Sequence, residues 1–158
     1  MTVTVKEADS TQKIVPIKSW ETFNRLTQDN DIKLEDGVYR LTEDQMKGIK
    51  KVSLESYDAK ISKDDMSGLD QAVNCEEFMA GYNGFDYTQI RSLVEGYTKL
   101  KSLSLQGVYI NQDEFNELLA SNKNLEELQI YFYTDEDDQV EDFSKLKELT
   151  NLKVLELN

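Results

Sequence analysis

Histidine is absent from all 158 residues, which removes the commonest general base, metal ligand and pH switch of proteins. Ser-His and Cys-His nucleophile systems and most zinc sites go with it. The one cysteine, Cys75, has no internal disulfide partner, so packing alone must hold the fold. Basic residues are scarce: 18 Lys and Arg stand against 31 Asp and Glu, a formal net charge of −13. Such a surface repels phosphate backbones and anionic lipids, which disfavours direct nucleic-acid binding and suits a basic protein partner. No apolar stretch approaches the roughly 20 residues needed to cross a bilayer, and no charged start followed by an apolar run marks the N-terminus, so no membrane insertion is expected. The sequence contains no Gly-rich phosphate loop, nucleophile elbow or metal-ligand cluster, and no spacing selects a carboxylate pair for acid/base work. The expectation is a protein that is not an enzyme and uses no cofactor. What remains, 39% apolar residues in a chain of one-domain length, is enough for a continuous core.

The first thirteen residues are polar and read as a flexible tail. Residues 14–48 read as a cap. Pro16 ends an extended piece, Ser19 can act as N-cap, and Trp20, Phe23 and Leu26 follow at helical spacing, with Trp20 expected to plug the cap. In IKLEDGVYRL the Asp36-Gly37 pair supplies a tight turn and predicts a hairpin. Thr42 with Gln45 three residues on is a capping box for a second short helix, and Gly48 is placed to stop it.

From Ile49 onward the chain repeats. The segments IKKVSLESY, CEEFMAGYN, LKSLSLQGV, LEELQIYFY and LKVLELN each carry apolar residues at their first, fourth and sixth positions. Their first residues, Ile49, Cys75, Leu100, Leu125 and Leu152, lie 26, 25, 25 and 27 residues apart. A strand of this kind cannot bury its apolar side alone, whereas stacked copies share one core, so residues 49–158 are expected to form about five stacked units. A second apolar set at helical spacing (Ile90, Leu93 and Val94; Phe115, Leu118 and Leu119; Phe143 and Leu146) predicts a helix behind the strands. No C-terminal cap follows Leu157-Asn158, and the capping argument favours a chain truncated there.

The L-x-x-L-x-L spacing, and YTKLKSLSLQG and LTNLKVLELN in particular, resembles bacterial leucine-rich-repeat proteins, in style the internalin type. The resemblance covers residues 49–158 and implies an α/β fold: a right-handed solenoid with a curved parallel sheet, helices on its convex side, and an N-terminal cap. Two features depart from the internalin pattern. The period is longer, and the ninth-position Asn survives only at Asn83, with Tyr57, Val108 and Tyr133 at that position elsewhere, which implies more helix on the convex wall. Family members bind proteins, so the likeness implies a monomeric protein-binding module of a bacterial surface or secreted protein. The charge leaves open an intracellular acidic antagonist or immunity-type protein that occupies a basic cleft.

Side chains alternate across a strand, so with the anchors inward the intervening residues face the concave surface. The middle row there reads Ser53, Met79, Ser104, Gln129 and Glu156, flanked by Lys51, Glu77, Ser102, Glu127 and Val154 on one side and by Glu55, Gly81, Gln106 and Tyr131 on the other. Glu77, Met79, Tyr82, Gln106, Glu127, Gln129 and Tyr131 are the expected partner-binding residues. Met79, Tyr82, Tyr131 and Phe132 would make an aromatic and thioether cluster of the kind enriched at interfaces, the alternative being that Tyr131 and Phe132 pack against a neighbouring loop or a further layer, since LQIYFY exposed as an edge would invite aggregation. The run Asp135-Glu136-Asp137-Asp138 lacks the spacing of a calcium loop and reads as a solvated connection. Cys75 occupies an anchor position and reads as a buried, unreactive thiol.

Overall fold

The computed structural model describes residues 12–37, 39–55, 61–133 and 139–158, with Tyr82 and Asn83 followed as backbone only. Residues 1–11 of the expected tail and the acidic run at 135–138 lie outside the described residues, while Lys13, expected to belong to the tail, is tied to the cap by its carbonyl, which accepts the Glu43 N–H at 2.9 Å. Chain entry is a small antiparallel ladder, β1 (Ile14–Val15) against β2 (Leu41–Thr42), with α1 (Trp20–Asp29) between them. The Ser19 hydroxyl accepts the Thr22 N–H at 3.3 Å and so starts α1. Thr42 and Gln45 make a reciprocal capping box that opens α2 (Glu43–Gly48).

Two expectations for this cap are corrected. Trp20 is 58% exposed: its ring lies outside Phe23, stacked at 5.6 Å, and meets Tyr39 edge-on at 5.2 Å. Phe23, Leu26, Leu41 and Met46 fill the interior instead. The Asp36-Gly37 turn is present, with Gly37 at φ +81°, but residues 32–35 are not a strand. Ile32 and Leu34 pack their side chains on the core, and the cap's strand pairing is made by the more distant β1 and β2.

Five parallel strands in chain order form the main sheet: β3 (Lys51–Glu55), β4 (Glu77–Asp86), β5 (Ser102–Tyr109), β6 (Glu127–Phe132) and β7 (Val154–Leu157). The register places Lys51, Glu77, Ser102, Glu127 and Val154 abreast, then Val52, Phe78, Leu103, Leu128 and Leu155, and so on up the strands. These are the rows read from the 25- to 27-residue spacing. Each fully buried Leu, Ile or Phe in them contributes about 1.5–3 kcal/mol over exposure.

The connections are less regular than expected. True α-helices stand in two of them, α3 (Arg91–Gly96) and α4 (Gln112–Ser121), which bury Leu93 and Val94, and Phe115, Leu118 and Leu119. Among the described residues the first and last carry only 3-10 turns, at Leu69–Gln71 and Ser144–Glu148. Gly68, at φ +78°, sets the first connection against the cap: a Cβ there would lie 2.6 Å from Ile17 and 2.8 Å from Val15. In the last, Phe143 is only partly covered, at 38% exposure.

Three residues ahead of each anchor runs a further row, Met46, Ala72, Tyr97, Asn122 and Leu149, all buried. Each carbonyl in it accepts the N–H of its anchor at 2.9–3.2 Å, which turns the chain into the strand. Tyr97 anchors its own turn further by donating its hydroxyl hydrogen to the Leu69 carbonyl at 2.7 Å.

Candidate functional site

Between successive units the strand entrance repeats one hydrogen-bond motif. The N–H groups of Glu76 and Glu77 both donate to the Lys50 carbonyl, those of Lys101 and Ser102 to Glu76, those of Glu126 and Glu127 to Lys101, and those of Lys153 and Val154 to Glu126. The first strand has no preceding unit, and a side chain takes the carbonyl's place. Asn30, the C-cap of α1, accepts the Lys50 and Lys51 N–H groups on Oδ1 at 2.8 and 2.9 Å and donates from Nδ2 to the Leu26 and Lys51 carbonyls. The cap thus prolongs the ladder with an amide in place of a peptide.

The residues that carry this motif alternate in charge: Lys50, Glu76, Lys101, Glu126, Lys153. Both Glu76 oxygens are engaged at 2.9 Å, by Lys50 and Lys101, and Lys153 pairs with Glu126. Hydrogen bonds from Lys50 and Lys101 hold the Glu76 carboxyl down at about 2. Next to this ladder, Glu76, Glu77, Lys101, Ser102, Glu126 and Glu127 line a shallow depression in which carboxylates outnumber ammonium groups.

By strand alternation the face opposite the anchors carries three rows, and the register brings the expected residues together in them: Glu77 two strands from Glu127, Met79 two strands from Gln129, and Gln106 beside Tyr131. Glu77, Glu127 and Tyr131 are exposed, Tyr131 at 52%; Met79, Gln106 and Gln129 are half-buried. The side chain of Tyr82 lies outside the described residues.

Two readings of this face are corrected. Ser53 and Ser104, expected to be open, are both only 7% exposed, and the Ser104 hydroxyl accepts a hydrogen bond from Gln106 Nε2 at 3.1 Å. Phe132 does not join Tyr131. Adjacent strand residues point to opposite faces, and Phe132 packs against Phe115 and Phe143, with ring centroids at 6.1 and 6.4 Å. A bulge at Gly107, φ +76°, shifts the β5–β6 register so that Val108 stands opposite Phe132. Tyr133 meets Tyr109 at a tilt, with ring centroids 5.0 Å apart, and a hollow lined by Ile110, Tyr131, Phe132, Tyr133, Val140 and Asn158 opens beside Tyr131.

Cys75 is fully buried and its thiol donates to the Glu77 carbonyl at 3.1 Å; burial pushes its pKa up to about 12. At neutral pH it carries no thiolate to act as nucleophile or ligand. Among the described residues no group of His, Cys, Asp or Glu side chains is arranged to hold a metal ion, and no helix is long and apolar enough to cross a membrane. No protein-family model matches the chain, and no curated protein matches it in sequence.

Proposed function

We propose that the chain is a leucine-rich-repeat solenoid that binds a protein partner through the sheet face opposite its anchors, the concave one of such a fold, within a bacterial surface or secreted protein. The supporting observation is the trio of register rows that gathers Glu77, Met79, Gln106, Glu127, Gln129 and Tyr131 on one face. An exposed tyrosine beside a hollow, uncharged glutamines around it and carboxylates at one border are the composition of a polar-rimmed anchor site. Tyr131 would contribute the aromatic contact, and Glu77 and Glu127 would receive basic side chains of the partner.

Paired substitutions test this assignment. Tyr131→Ala with Gln129→Ala lowers affinity for the bound protein by about tenfold or more, whereas reversing Lys145 and Lys147, which sit in the exposed 3-10 turn of the last connection, leaves it unchanged. Loss with the lysine pair alone contradicts the assignment.

A second reading rests on the acidic depression at the strand entrances together with the net charge of −13: an intracellular antagonist that fills a basic cleft. It predicts binding that weakens steeply as salt rises to physiological strength and that is lost on Glu77→Lys with Glu127→Lys, while Tyr131→Ala has little effect.

A further inference from the structure

At the exit of the strands, the end of the sheet opposite the charged ladder, two bulges seat two tyrosine rings. The β4–β5 register shifts between Gly81 and Phe85, and the β5–β6 register between Gln106 and Val108. Gly84 and Gly107, which lie in these bulges, leave room for the rings. A Cβ on Gly84 would stand 2.9 Å from Cε2 of Tyr109, and one on Gly107 3.6 Å from Cδ2 of Tyr133. The two rings meet at 52° with centroids 5.0 Å apart, and Tyr133 is 50% exposed. Bulges re-aim side chains, and here both rings come to line one hollow of about 140 Å³, together with Asp86, Thr88, Asn111 and Glu114.

The register sets Asp86 abreast of Tyr109, and the capping box that opens α4 holds Glu114. Each carboxylate is fixed through one oxygen. Asp86 Oδ1 accepts the Thr88 N–H at 3.0 Å and the Thr88 hydroxyl at 2.6 Å, and Glu114 Oε2 accepts the Asn111 N–H at 3.0 Å. The second oxygen of each has no hydrogen-bond partner among the described residues, and neither carboxylate forms an ion pair there, whereas Glu76, Glu95, Glu117 and Glu126 all do. Two uncompensated carboxylates repel anions, and the aromatic faces beside them attract a cation. A guanidinium matches both features: it is planar and lies flat on a ring, and its five N–H donors serve both carboxylates, where an ammonium is a compact charge with three. We infer that this hollow receives an arginine side chain of a partner protein, with the guanidinium stacked on Tyr133 and donating to Asp86 and Glu114. The net charge of −13 favours the approach of such a basic partner. The hollow lies beyond the bulges and off the three rows of the face, so the inference stands whether or not that face binds a protein.

Blocked tripeptides, acetyl-Gly-Xaa-Gly-amide with arginine, lysine or citrulline in the centre, test it on the full chain by proton–nitrogen NMR. Citrulline is the uncharged isostere of arginine. The arginine peptide shifts the Thr88 and Asn111 amide signals saturably, with a Kd on the order of 1 mM, about tenfold below that of the citrulline peptide and severalfold below that of the lysine peptide. Asp86→Asn and Glu114→Gln keep the capping oxygens and remove the charge, so the fold is preserved. Each weakens the arginine peptide by about threefold, and together they erase its advantage over citrulline. Tyr133→Leu, at an exposed position, also weakens it by about threefold through loss of the ring face. Arginine bound no better than citrulline, or no better than lysine, overturns the inference. So does an arginine preference unmoved by the two charge-removing substitutions or by Tyr133→Leu. Shifts confined to Glu77 and Glu127, or no saturable shift at all, overturn it as well, the former by placing the cation at the strand entrances.

Discussion

Replacing Asn30 with alanine is the sharpest perturbation of the cap. The Asn30 amide makes four hydrogen bonds at 2.8–2.9 Å, two received from the Lys50 and Lys51 N–H groups and two given to the Leu26 and Lys51 carbonyls. Alanine removes the partner of three backbone groups at the entrance to β3 and of the Leu26 carbonyl near the end of α1. Each such bond is worth about 0.5–1.5 kcal/mol net, and water can reach part of this site, so the expected loss is about 2–4 kcal/mol. Asn30→Asp keeps the acceptor but sets a carboxylate oxygen against the Leu26 and Lys51 carbonyls, and is expected to cost at least as much. Urea unfolding at neutral pH measures both, with an unchanged m-value showing that stability and not compactness has moved. Amide exchange at Lys50 and Lys51 should accelerate in Asn30→Ala ahead of the amides of β5. A loss below about 0.5 kcal/mol for Asn30→Ala would refute the idea that this amide takes the place of a preceding strand's carbonyl.

Glu76 predicts an acid-sensitive ladder. Its folded value of about 2 lies below the ordinary 4.5, so its contribution is complete above about 4.5 and disappears as pH falls toward 2; Glu76→Gln should flatten the stability-versus-pH curve across that window in acid titrations. Cys75 should resist alkylation by iodoacetamide at pH 8 in the folded chain and react fully once urea unfolds it; rapid labelling of the native protein would contradict its burial. The Tyr87 hydroxyl is buried with no hydrogen-bond partner among the described residues, so Tyr87→Phe should raise unfolding stability by about 1 kcal/mol, and a loss of that size would mean the hydroxyl is satisfied in solution.

The sheet was legible in the sequence because its information is periodic. Ile49, Cys75, Leu100, Leu125 and Leu152 recur at nearly constant spacing, and parallel strands in chain order put residues of equal repeat position abreast, so the rows followed by counting. Ser53 and Ser104 escaped because burial of a short side chain depends on the reach of its neighbours, which alternation does not encode. Phe132 was misplaced by extending the row one residue too far, where alternation turns the side chain inward. Asn30 carries no sequence mark of its own: it caps a strand 20 residues away, a contact that exists only once α1 has packed against β3. The alternation of Lys50, Glu76, Lys101, Glu126 and Lys153 was present at the second repeat position, beside the anchors, and is visible to any alignment that compares charge as well as hydrophobicity. Trp20 shows the opposite failure, since size and apolarity suggested a plug while the first turn of α1 leaves its ring outside Phe23.

The proposed binding face requires Glu77 and Glu127 to stand two strands apart in one row, and paired nitroxide labels measure that spacing directly. Both positions are exposed, and the buried thiol of Cys75 should not compete for the label in the folded chain. Two strand spacings place the labelled backbones about 10 Å apart, so the doubly labelled chain should show strong dipolar broadening relative to the sum of its single-label spectra. A double-label spectrum that superimposes on that sum would mean the two carboxylates do not share a row, and the proposed docking face would go with it.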